Sequence, residues 1–80
     1  MREAKYQKIL IDKMESAGWY VIKLIKTNRN GIPDLLCVKG NDVKFIEVKA
    51  VNGKLSALQE YRISELNKFG VKVEVCYPND

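Results

Sequence analysis

Apolar residues recur along this chain first at helical spacing and then at strand spacing. Tyr6, Leu10, Met14 and Ala17 follow one another at intervals of three and four, and Gly18 stops the run, which predicts a helix over residues 2–17. The opposite face carries Lys5, Lys8, Asp12 and Glu15, ordinary solvated positions, while counting the stripe back by three puts Glu3 on the inward side of the first turn. Trp19–Lys26 is rich in β-formers and reads as a strand, and residues 27–33 form a polar loop dense in breakers. Asp34–Lys39 and Val43–Ala50 follow as two strands around Gly40-Asn41, and Asn52-Gly53-Lys54 is a further loop. Ser56–Phe69 reads as a second helix. Ser56 and Gln59 match a capping box, Leu55, Ile63 and Leu66 make an apolar stripe that also takes in Gln59, and Gly70 ends it. Val71–Tyr77 then alternates, with Val71, Val73, Val75 and Tyr77 on one face, until Pro78 closes the strand.

A two-residue Gly40-Asn41 turn fixes the register of the central hairpin. Lys39 then pairs with Asp42, Val38 with Val43, Leu36 with Phe45 and Asp34 with Glu47. Residues two apart in a strand share a face, so Lys49 points the same way as Glu47. Directly opposite carboxylates lie roughly 5 Å apart and repel by roughly 3 kcal/mol at an effective dielectric of about 20. A purely structural strand gains nothing from such a pair. Lys49 offsets part of the repulsion, and a divalent cation that favours oxygen ligands, Mg²⁺ or Mn²⁺, would offset the rest. A three-residue loop would slip the pairing by one and place Leu35 opposite Glu47, so the site depends on the turn.

The order helix, three strands, helix, strand predicts an α/β fold. The last strand should run parallel to the third after a right-handed crossover, giving a four-stranded mixed sheet flanked by helices. The 80 residues make a single domain, 1–80, small enough for dimerisation to help its stability. A formal net charge of +4 favours an anionic partner, nucleic acid first. The absence of histidine excludes Ser-His-Asp and Cys-His chemistry and any histidine-based nuclease. Cys37 and Cys76 are too few for a zinc site and, lying within strands, read as reduced half-buried thiols. No apolar run is long enough to span a membrane and no signal-peptide core is present, so a cytoplasmic protein is expected.

Pro33-Asp34, Glu47-Val48-Lys49 and the α-β-β-β-α-β order together resemble the PD-(D/E)XK nucleases and their restriction-endonuclease-like core. Within that superfamily the stretches Gly31-Ile32-Pro33-Asp34-Leu35-Leu36, Phe45-Ile46-Glu47-Val48-Lys49-Ala50 and Leu55-Ser56-Ala57-Leu58-Gln59 are similar to the VRR-NUC domain family. The resemblance extends through Glu3 and Gly70-Val71-Lys72-Val73 to nearly the whole chain. It implies a metal-dependent DNA endonuclease. The small standalone form resembles members from phages and mobile elements, which are similar to Holliday-junction resolvases that cut as homodimers; the cytoplasm in view is then that of a bacterium or a phage-infected host.

On this resemblance Asp34 and Glu47 would hold Mg²⁺ or Mn²⁺, with the Val48 carbonyl as a third protein oxygen, and Lys49 would position or activate the attacking water. The bland alternatives are a surface ion cluster and a solvated strand lysine. Glu3 reads either as a further metal or water ligand or as an acid favourably placed at a helix N-terminus. Gln59 reads either as a contact to Lys49 or substrate or as half of the capping box. Lys23, Lys26, Arg29 and Lys54 would meet DNA phosphates, though any one of them alone reads equally as solvated surface. Trp19 and Tyr20 are expected in the core, with dimer contact or base stacking as alternatives. The rival to an endonuclease is a catalytically silent or partner-dependent DNA-binding module.

Overall fold

Glycine ends both helices and thereby sets where the sheet begins. In the computed structural model, which describes residues 2–78, α1 (Glu3–Ser16) gives way at Ala17 to Gly18, whose φ is +95°. The Gly18 N–H donates to the Glu15 carbonyl and the Trp19 N–H to that of Met14, the paired bonds of a Schellman stop. The same arrangement recurs after α2 (Ala57–Lys68), with Gly70 at φ +86° and Val71 N–H donating to the Leu66 carbonyl. At the other end of α2 the Ser56 side chain accepts from the Gln59 N–H, and the Gln59 side chain accepts from the Ser56 N–H, so the capping box is formed.

The strands are β1 (Tyr20–Lys23), β2 (Leu35–Lys39), β3 (Asp42–Val48) and β4 (Lys72–Cys76), arranged β1-β2-β3-β4 in one mixed sheet. The first three are antiparallel neighbours and β4 runs parallel to β3. The hairpin register is the one derived from the sequence: Lys39 opposite Asp42, Val38 opposite Val43, Leu36 opposite Phe45. Gly40 has φ +61° while Asn41 does not take a positive φ, the pattern of a two-residue turn with glycine first.

The core lies between α1 and one face of the sheet. Leu35, Cys37, Ile46 and Val48 are fully buried there with Met14, and Tyr6, Leu10, Ile11, Trp19, Val21 and Cys76 pack around them. Both cysteines are free, but Cys37 is wholly buried rather than half-buried. Helix α2 adds nothing to this core and packs beside β4.

Three sequence expectations change. The first strand ends at Lys23, not Lys26, although Leu24 N–H still donates to the Asp34 carbonyl at 2.8 Å. The chain then turns away, and the Thr27 hydroxyl bonds both the N–H and the carbonyl of Arg29, holding a loop where β propensity alone extends a strand. The inward face of α1 takes in Gln7 and Ile11, whereas Ala17 is exposed. Tyr20 is 69% exposed and so is not a core residue, because it faces the side of the sheet away from α1.

Candidate active site

Asp34 sits immediately before β2, with its main chain tied to one neighbour and its side chain to the other. Its carbonyl accepts from Leu24 N–H at 2.8 Å, and its Oδ2 accepts from Val48 N–H at 2.8 Å. Pro33, almost fully buried, leads into it and holds φ near −65°. One step beyond the Leu35–Ile46 pair, the register brings Glu47 opposite Asp34.

Glu47 is 3% exposed. Burial, a hydrogen bond to the Asp34 side chain and the Asp34 charge push its carboxyl up to about 8 from the ordinary 4.5. The Lys49 ammonium pulls the other way, but it lies at 4.0 Å from Glu47 Oε2, the outer limit of an ion pair. The exposed Glu3, at the start of α1, adds a smaller upward push. Without a further cation, the pair is therefore most stable when it retains a proton near neutral pH. This is the local cost anticipated from the hairpin register, now in a buried setting.

Lys49 is held by both main chain and packing. Its N–H donates to the Cys76 carbonyl at 2.9 Å, and the 50–53 turn folds back over it. A Cβ on Gly53 would stand 3.0 Å from the Ala50 carbonyl and 3.4 Å from Lys49 Cβ, so the turn closes this tightly only with glycine.

The structure thus brings together Asp34, Glu47 and Lys49. The Val48 carbonyl lies between the last two along the chain, and the Val48 side chain is in the core. Among the described residues no three acidic or thiol side chains come together as a metal cluster, so Glu3 stands outside the carboxylate pair. Gln59 is engaged in the α2 cap through Oε1. Lys26 and Arg29 line a cavity of about 300 Å³ that reaches Asp34, together with the loop residues between them. Lys23 and Lys54 are exposed and do not line it.

Two residues do not stand out in the sequence, one that holds this region and one buried amide on α1. Arg62 Nε donates to the Asn30 carbonyl at 2.8 Å, and its guanidinium pairs with Glu65 at 3.1 Å, pinning α2 to the loop before Asp34. Gln7, 8% exposed, lies four residues after Glu3 on the same side of α1. Only that i, i+4 spacing could have pointed to it.

A profile of the VRR-NUC domain family matches residues 2–80. The chain belongs to the VRR-NUC domain family. This VRR-NUC domain is 43% identical over 51 residues to Fanconi-associated nuclease 1 of Danio rerio and 41% identical over the same length to that of Homo sapiens. Each match covers 61% of this chain but 5% of the relative, so the chain spans about a twentieth of the length of these nucleases. A solved structure described as a VRR_NUC domain superposes with a TM-score of 0.81 at 33% identity, covering 91% of this chain and 81% of that one. The fold and the family expected from the motifs are both confirmed.

Proposed function

We propose that this VRR-NUC domain is an endonuclease that hydrolyses phosphodiester bonds in DNA, that it uses Mg²⁺ or Mn²⁺ held by Asp34 and Glu47, and that it acts as a homodimer on branched DNA such as four-way junctions. The observation that carries this reading is the pairing of the buried Glu47 with the half-buried Asp34, with Lys49 beside them. Its carboxylates repel in a setting that raises Glu47 to about 8, a destabilising arrangement that a bound cation reverses.

The donor set fits a hard divalent cation: two carboxylates, with the Val48 carbonyl between Glu47 and Lys49 as a third oxygen and Glu3 near enough to act on Glu47 electrostatically. When bound by these oxygens, a divalent cation would supply polarisation of the scissile phosphate and a more acidic water. Lys49 brings an ammonium to the same point, where it orients the attacking water and stabilises charge that builds on the phosphate. Asp34 is fixed for its task by the Val48 N–H, which leaves its other oxygen for binding. Gln59 spends its carbonyl oxygen on the helix cap and keeps its NH₂ to donate toward the substrate. Lys26 and Arg29, which line the same cavity as Asp34, meet DNA phosphates beside the site, with Lys23 and Lys54 outside it.

A cleavage assay tests the reading. Purified protein is offered a four-way junction, a flap, a linear duplex and single-stranded DNA with Mg²⁺ or Mn²⁺, beside EDTA and Lys49→Ala controls. Paired symmetric incisions in the junction are expected, abolished by EDTA and by the substitution. Cutting of flap or duplex instead keeps the nuclease and removes the junction preference. Wild-type silence on all four substrates would reject cleavage and favour a binding module.

A further inference from the structure

We infer that Ile25 is an apolar wedge that enters the base stack where a bound DNA branches. The inference rests on the branched-DNA reading above and names the side chain that tells a branch from continuous duplex. Ile25 is 85% exposed, more than any other large apolar side chain among the described residues. It stands just past the end of β1, at the head of the polar run Lys26-Thr27-Asn28-Arg29-Asn30. A single exposed aliphatic on an ordinary surface needs no explanation. This one lines the same cavity as Lys26, Arg29 and Asp34.

Its position follows from the main chain. The Leu24 N–H donates to the Asp34 carbonyl at 2.8 Å, so Ile25 lies one Cα step, about 3.8 Å, beyond a residue bonded to Asp34. Phosphates along one strand of a duplex recur about every 3.4 Å of its axis. Ile25 is therefore within a few nucleotides of a phosphate at the carboxylate site. The chain that follows is braced. The Thr27 hydroxyl bonds the N–H and the carbonyl of Arg29, Arg62 Nε donates to the Asn30 carbonyl at 2.8 Å, and Gly31 lies against Leu58. Fixed between β1 and this loop, Ile25 is presented with little ordering left to do on binding.

Charge selects the occupant. Lys26 follows Ile25 directly and Arg29 shares its cavity, so a ligand there meets two cations and one aliphatic tip together. DNA offers both chemistries, phosphates for the cations and base faces for the tip. Isoleucine is among the side chains that insert between base steps of kinked DNA. In continuous duplex, such an insertion must first pull two stacked pairs apart. The pairs that border a branch have already lost a continuous stack on one side, so the same insertion costs less there. That difference favours branches without reading sequence. A polar side chain at position 25 removes the preference and leaves Lys26 and Arg29 to hold phosphates as before.

The test compares wild type, Ile25→Ser and Ile25→Leu, each checked for folding by circular dichroism. The probes are a four-way junction with 2-aminopurine at the branch and a linear duplex with 2-aminopurine at its middle. In EDTA, binding is followed by anisotropy and unstacking by 2-aminopurine fluorescence. Wild type and Ile25→Leu are expected to brighten the junction probe and to leave the duplex probe dark. Ile25→Ser should leave both dark and bind the duplex as wild type does. It should bind the junction about tenfold more weakly, the order that burial of an aliphatic side chain allows. With Mg²⁺ in place of EDTA, its junction cleavage at subsaturating protein should fall by a similar factor. An Ile25→Ser that binds the junction and brightens its probe as wild type does would overturn the wedge and keep the nuclease. So would a wild type that binds the junction and leaves its probe dark. Wild-type silence in Mg²⁺ rejects the nuclease reading instead, and the fluorescence, read without metal, decides the wedge independently.

Discussion

A carboxyl that is 3% exposed and hydrogen-bonded to a second carboxyl is costly to ionise, and Glu47 meets both conditions. Folded, metal-free protein holds that proton up to about pH 8, whereas the unfolded chain releases it near 4.5. Between these values the unfolded state binds fewer protons, so stability falls as pH rises, by at most about 1.4 kcal/mol per pH unit. Thermal melts in EDTA should therefore show Tm dropping from pH 5 to pH 8, with the drop flattened in Glu47→Gln. Adding Mg²⁺ should raise Tm more at pH 8 than at pH 5, and calorimetry in buffers of differing ionisation heat should show proton release on binding near pH 7. The opposition of Asp34 and Glu47 was legible in the sequence because a two-residue turn leaves one register. The burial that raises Glu47 was not, since it comes from packing that no hairpin count contains. Gln7 escaped for a related reason: an amide in a helix reads as surface until its neighbours are known.

At the scale of elements, the loop before Asp34 is held to α2 at Gly31 and Asn30. Gly31 has φ +78°, and a Cβ there would stand 2.7 Å from Leu58 Cγ. Gly31→Ala should cost about 1 kcal/mol or more, a fall in Tm of several degrees for a domain of this size, and should lower cleavage because the same loop leads into Asp34. Differential scanning calorimetry and single-turnover rates measure the two effects. Gln59→Glu separates the roles of that side chain: it keeps an oxygen for the cap and loses the NH₂. Tm should change little while cleavage falls about tenfold or more, the order of one lost positioning contact; an unchanged rate would leave Gln59 a cap alone. Helix ends and hairpin could be read because Gly18, Gly40, Ser56 and Gly70 encode them locally. The end of β1 could not, because Leu24 and Ile25 have strand propensity and the hydroxyl of Thr27, a contact two residues long, decides the turn.

For the whole molecule, the proposed nuclease function makes charge and surface govern how the domain meets DNA. Lys26 and Arg29 line the cavity that reaches Asp34. Replacing either by alanine should weaken binding to all DNA alike and reduce the slope of log affinity against log salt by about 1, one phosphate contact each; fluorescence anisotropy across a salt series checks this. Four strands, two helices and their order were legible because local punctuation and periodicity agree throughout. Which apolar residues stay exposed was not, since Tyr20 and Trp19 are adjacent and alike in sequence but point to opposite faces. The most direct test of the central claim is Mg²⁺-dependent cleavage of a four-way junction by wild type and Asp34→Asn, with folding of both followed by thermal melting. Asn keeps an acceptor for the Val48 N–H and removes both a ligand charge and the repulsion on Glu47, so the variant should melt no lower than wild type and cleave at least a hundredfold more slowly. A folded Asp34→Asn that cleaves at the wild-type rate would contradict the assignment of this site.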